Sequence, residues 1–208
     1  MKHGQLDTIK QICKKSAETF LQVAKQEENL KFIEWNFMAR ETLWEQGRLK
    51  HDIRKQHANN PFYDKLFKKI NEMNLKRQPV LYYFTLESTF NYNELIAHYR
   101  EIQSALLQLP KGEGKRNLSA LKVQNGCGKY LYCGKVIKDF DLRMVVHMGY
   151  AKNGLTWGLQ LCRWLPQKYP DLKLKLTAFG LPKEMAPLMG ALEYQLAKEY
   201  KPILGKHT

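Results

Sequence analysis

The chain of 208 residues contains no apolar run approaching the roughly 20 residues that a membrane-spanning helix needs. Its opening, MKHGQLDTIK, has no apolar signal-peptide core. These two features lead us to expect a cytoplasmic protein with no membrane partner. Cysteine is scarce. The four are Cys13, Cys127, Cys133 and Cys162, and none forms a C-x-x-C pair, which argues against a zinc site. Cys133 and Cys162 read as small buried residues in a reducing compartment. There is no internal repeat and no low-complexity tract. The glycines of NGCGK do not make a phosphate loop, because Val123 stands where that loop needs glycine and Tyr130 where it needs Ser or Thr. A G-x-S-x-G elbow and a His-Glu-x-x-His motif are also missing.

Acidic residues are the other shortage. Asp and Glu total 20 against 34 Lys and Arg, leaving a net charge of +14. Residues 111 to 208 hold 17 basic and 7 acidic residues, so most of the excess lies in that half. A chain this basic favours a polyanionic partner, most commonly nucleic acid, with an anionic membrane as the rival. Hydrophobic residues at 44% are enough for a packed core, so compositional disorder is excluded.

The apolar spacing predicts helices over residues 5 to about 76, including FIEWNFMARETLWEQ. Asn60 is a candidate cap and Pro61 a candidate first helical residue. PVLYYFTLES (79–88) reads as a strand and NYNELIAHYREIQSALLQL (91–109) as a helix. PKGEGKRN (110–117) gathers breakers and charges, so we expect a junction there between a mostly helical region, 1–110, and a second unit, 111–208. In that second unit LSALKVQ and KYLYCGKV read as a hairpin around NGCG. DFDLRMVVHMGY and LTWGLQLCRWLPQKY read as helices, LKLKLTAFG as a strand and EMAPLMGALEYQLAKEY as the last helix. The order β-β-α-α-β-α implies an α+β fold with a small, mainly antiparallel sheet.

The stretch KYLYCGKVIKDFDLRMVVH (129–147) carries the chemistry. Tyr132, Gly134 and Lys135 end a strand. Arg143 and His147 are spaced i and i+4, so they share a helix face. Convergent donors of this kind suit phosphodiester cleavage, where negative charge grows on phosphate oxygens. A basic helix face beside a buried tyrosine is the plain structural alternative.

Residues 114 to 208 resemble the GIY-YIG nuclease family. Tyr132-Cys133-Gly134-Lys135 is similar to that family's second half-motif. Phe140-x-x-Arg143 followed by His147 is similar to its helix. LEYQLAKEYKPILGK (192–206) is similar to its final segment, which places the family's metal-binding glutamate at Glu193. The resemblance implies a metal-dependent endonuclease acting on nucleic acid, most naturally DNA. It implies catalytic roles for Tyr132, Lys135, Arg143, His147 and Glu193, with Mg²⁺ or Mn²⁺ at Glu193. Lys129, Lys152, Arg163 and Lys206 become candidate phosphate contacts. Trp157 could stack on a base or fill the core, whereas Trp164 reads as core.

One element departs from the pattern. The family's first tyrosine belongs about ten residues before Tyr132, and no tyrosine occurs between Tyr99 and Tyr130. Three alternatives follow: Tyr132, Lys135 or His147 takes the proton; a tyrosine from elsewhere, such as Tyr130 or Tyr150, reaches in; or the protein binds nucleic acid without cutting it. The N-terminal helices suggest a partner-binding role or a homodimer.

Overall fold

The structure, a computed structural model, describes residues 11–18, 21–22, 25, 31–43, 61–109, 117–122, 128–150 and 157–205. The fold is α+β, built on a four-stranded antiparallel sheet. The strands are β1 (Lys31–Met38), β2 (Val80–Leu86), β3 (Tyr130–Val136) and β4 (Lys173–Gly180), in spatial order β1-β4-β2-β3. The helices are α1 (Pro61–Glu72), α2 (Tyr92–Gln108), α3 (Phe140–Met148), the single turn α4 (Leu165–Lys168) and α5 (Met189–Tyr200). Residues 11–18 are helical too, with Ile12 exposed.

Strand alternation sorts the side chains onto two faces. Ile33 and Phe37 of β1, Leu174, Leu176 and Ala178 of β4, and Tyr82, Phe84 and Leu86 of β2 are buried on one face. Tyr132 joins them, paired across the ladder with Phe84. Helix α1 covers this face with Phe62, whose ring meets Phe37 at 5.4 Å. Helix α3 covers it with Phe140, 5.4 Å from Tyr82. Trp164 is sealed in the core as its spacing suggested, 1% exposed, with its Nε1 donating to the Leu159 carbonyl at 2.9 Å. On the other face α5 lies over β3 and β2, where Leu81, Leu181, Met185, Met189 and Leu192 form a smaller apolar cluster.

Several elements match the sequence reading. Strand β2 and helix α2 fall within 79–88 and 91–109, and the Asn91 side chain caps α2 by accepting from the Asn93 and Glu94 N–H groups. Pro61 opens α1; the cap candidate Asn60 and residues 125–127 of the NGCG turn lie outside the described residues.

Three elements differ. Residues 31–38 form a strand, not a helix. Phe32, Trp35 and Met38 fit helical spacing, but Ile33, Trp35 and Phe37 also fit a period of two. The alternating LKLKL of β4 offers them a ladder, which decides between the two. Residues 117–122 do not form a strand of the sheet. They make isolated bridges only, Leu118 to Gly158 and Leu121 to Leu204. The strand paired with β3 is instead β2, from the other side of the 110–117 break. Residues 161–168 do not form one long helix but a 3-10 turn (Leu161–Arg163) and α4. Pro166 removes a donor and crowds the carbonyl four residues back, and Gln160 enters the turn at φ 53°. The order β-β-α-α-β-α over 111–208 is therefore replaced by a sheet drawn from both halves. Strands from either side of the break share one sheet and one core, so the two parts fold together.

Replacing Trp164 by Ala should cost about 3–5 kcal/mol, because the cavity left behind has no solvent access. Equilibrium unfolding in urea checks this, and a loss below ~1 kcal/mol would show that the ring does not anchor the core.

Candidate functional site

The ladder between β2 and β3 sets Tyr82 directly opposite Gly134. A β-carbon on Gly134 would lie 2.6 Å from the Tyr82 hydroxyl oxygen. Glycine is thus required there because the Tyr82 side chain lies across that point of β3, and not because of a turn. Two residues earlier on β3, Tyr132 stacks near it with ring centroids 6.1 Å apart.

Helix α3 brings Arg143 and His147 to these two hydroxyls. Arg143 donates from Nε to the Tyr82 hydroxyl at 3.0 Å, from Nη2 to the Tyr132 hydroxyl at 3.1 Å, and from Nη1 to the Trp157 carbonyl at 2.9 Å. His147 Nε2 lies 2.8 Å from the Tyr82 hydroxyl, and its Nδ1 accepts the Leu159 N–H at 3.2 Å. An acceptor Nδ1 leaves the ring proton on Nε2 in the neutral imidazole. His147 therefore donates to Tyr82, and the Tyr82 oxygen receives two N–H groups.

The electrostatics follow from burial. Burial raises the Tyr82 hydroxyl well above the ordinary tyrosine range, and Tyr132 adds to this, while Arg143 opposes it. Tyr132 is raised by burial too, with Arg143 again opposing. Burial works against the Arg143 charge, but the two tyrosine oxygens outweigh it and hold the guanidinium firmly protonated. Burial and the Arg143 charge keep His147 well below its usual range, so it is neutral. It positions Tyr82, and the sequence-based role as a proton carrier does not suit a buried ring whose Nδ1 lone pair is already occupied.

Glu193, half-buried on α5, bears on the same place. Its charge raises Tyr82 and Tyr132, and it helps burial push the Cys133 thiol up to about 12. No group of three or more His, Cys, Asp or Glu residues suited to a metal occurs among the described residues. The site thus offers one hard carboxylate, which fits a Mg²⁺-type ion that keeps most of its water shell and borrows phosphate oxygens.

The remaining candidates are dispersed. Lys135 falls on the opposite sheet face from Tyr82 and Tyr132, with its Nζ near Gly190 at the start of α5. It lies outside the tyrosine–arginine cluster, contrary to the sequence expectation, because alternation along β3 turns residues 134 and 135 to opposite faces. Lys129 is exposed, its Nζ 5.6 Å from the Tyr130 ring. Arg163 is half-buried near Tyr150. Lys152 and Lys206 lie outside the described residues. Neither Tyr130 nor Tyr150 enters the cluster: Tyr130 stacks on Tyr200 at 4.1 Å and Tyr150 packs on Tyr63 at 4.8 Å. Sequence reasoning does not single out Tyr82, which sits in the LYY of a strand it placed correctly, about fifty residues before Tyr132. Trp157, 41% exposed, borders the site through its carbonyl. No family model, no curated protein and no solved structure matches the chain.

Tyr82→Phe removes the acceptor for two buried donors and should destabilise the fold by about 1–3 kcal/mol in urea unfolding. The depressed His147 pKa also predicts a pH dependence. The unfolded chain binds a proton at this histidine below pH ~6.5 while the folded chain does not, so stability falls as pH drops beneath that value. His147→Gln should remove that part of the acid dependence; unchanged unfolding curves from pH 7.5 to 5 in the parent chain would refute the assignment.

Proposed function

We propose that the chain is a divalent-metal-dependent endonuclease of the GIY-YIG type that hydrolyses phosphodiester bonds in DNA. One observation carries the reading: Tyr82 and Tyr132 meet a single arginine, Arg143, and the charge of half-buried Glu193 raises both hydroxyls. Tyr82 supplies the tyrosine that the resemblance requires on the strand next to β3, although a helix and a long connection separate the two in sequence. The α+β architecture is compatible with this reading.

The residues divide the work as follows. Arg143 spends three of its five N–H groups on Tyr82, Tyr132 and Trp157, leaving two to grip a non-bridging phosphate oxygen. Its charge is permanent, so it stabilises the negative charge that grows in the transition state. His147 and Arg143 both donate to Tyr82, which prepares that oxygen to carry negative charge if it gives up its proton. Tyr132, with one donor from Arg143, orients the attacking water. A divalent ion held by Glu193 would neutralise the scissile phosphate and ease departure of the leaving oxygen.

Supercoiled plasmid incubated with the protein and Mg²⁺ or Mn²⁺ should be nicked, and EDTA should stop it. Glu193→Ala and Arg143→Ala should each lower the rate by at least about 100-fold, and Tyr82→Phe by a similar factor. Because both tyrosines lie above their usual range and His147 stays neutral, the rate should climb through pH 7 to 9 with no inflection near 6.5. Plasmid binding without nicking under every condition would establish a binding protein instead, and wild-type nicking by Glu193→Ala would remove the metal assignment.

A further inference from the structure

Among the described residues, the second face of the sheet is only partly covered. Helix α5 lies over β3 and β2, and the β1–β4 side carries a row of rings that the Tyr82–Arg143 cluster does not use. Phe32 of β1 stacks with Phe179 of β4 at 6.2 Å. Phe179 lies 6.4 Å from Tyr83 of β2, and Tyr83 lies 5.7 Å from Tyr130 of β3. Tyr200 of α5 closes the row against Tyr130. The row crosses all four strands. Phe32 is 53% exposed, and the other four rings are half-buried.

A line of rings open to solvent at Phe32 and half-open elsewhere is a poor use of aromatic surface unless something stacks on it. The border of the row says what. Lys129 sits over Tyr130, Lys201 is exposed next to Tyr200, and Lys175 shares the face. The acids that act on Lys175 are Glu87 and Glu34, the latter paired with it at 3.4 Å. The whole chain carries +14. Rings flanked by lysines suit unpaired bases joined by phosphates, since every base has a π-face and the lysines meet the backbone. A duplex hides its base faces and cannot use such a row.

We propose that this face binds single-stranded DNA, with bases stacked along Phe32, Phe179 and Tyr83 and the backbone passing Lys129 and Lys201. This goes beyond the endonuclease reading and needs no cleavage. Helix α5 connects the two regions, since Tyr200 follows Glu193 by seven residues, two turns along the same side of the helix.

The test is fluorescence anisotropy of a labelled short oligothymidylate, in EDTA, so that its outcome is independent of any nicking activity. Phe32→Ala and Phe179→Leu should each weaken binding about 5- to 150-fold, while Phe32→Trp should retain it. The ring variants should keep the wild-type salt dependence, and Lys129→Ala and Lys201→Ala should each reduce its slope by about one. Thermal unfolding confirms that the variants fold; Phe32 is exposed, so its replacement leaves the core intact. Wild-type affinity in folded Phe32→Ala and Phe179→Leu overturns the proposal. So does equal loss of duplex and single-strand binding. Tighter binding of oligouridylate with the same ring dependence would reassign the face to RNA.

Discussion

Arg143 holds the site together. A guanidinium that donates to Tyr82, Tyr132 and the Trp157 carbonyl ties β2, β3, α3 and the segment after α3 to one point. It cannot lose its charge at any ordinary pH. Its three fixed bonds reduce its rotamer freedom, so the remaining N–H groups are aimed before any anion arrives. The cost is a charge largely withdrawn from water, offset by two phenol oxygens and a carbonyl. The same charge keeps His147 neutral, and neutral His147 in turn holds the Tyr82 hydroxyl.

Around this point the sheet acts as a divider. Its buried face carries the Tyr–Arg–His cluster and most of the core, and its second face carries α5 and the aromatic row. The two meet at the edge strand β3, where alternation sends Tyr132 and Gly134 one way and Cys133 and Lys135 the other. Glu193 stands on the second-face helix, yet its charge reaches Tyr132 and Tyr82 on the first. Beyond that edge the 203–205 segment runs along β3, with Leu204 bridging Tyr132.

The sequence reading went wrong in two instructive ways. Phe32, Trp35 and Met38 satisfy a helical period, and only pairing with β4 reveals that Ile33 and Phe37 are buried, with Trp35 partly buried beside them. The family pattern expects a tyrosine about ten residues before Tyr132, on the strand that a hairpin would pair with β3, with Tyr130 and Tyr150 as alternatives. The partner strand lies across a helix and a long connection, because ladder pairing depends on register and a shared buried face rather than on nearness in sequence.

What the sequence alone determined was the chemistry at hand: a strongly basic chain, a Tyr-x-Gly-Lys strand end, an i, i+4 Arg–His pair on one helix face and a carboxylate near the last helix's apolar edge. Those follow from residue type and local periodicity, which operate within a few residues. Tertiary structure alone decided that Tyr82 shares Arg143 with Tyr132, that Gly134 is needed because Tyr82 lies over it, that Lys135 faces away, and that His147 is a neutral donor. Each of these depends on which strand lies beside β3 and how deeply the site is buried, and no local pattern encodes either.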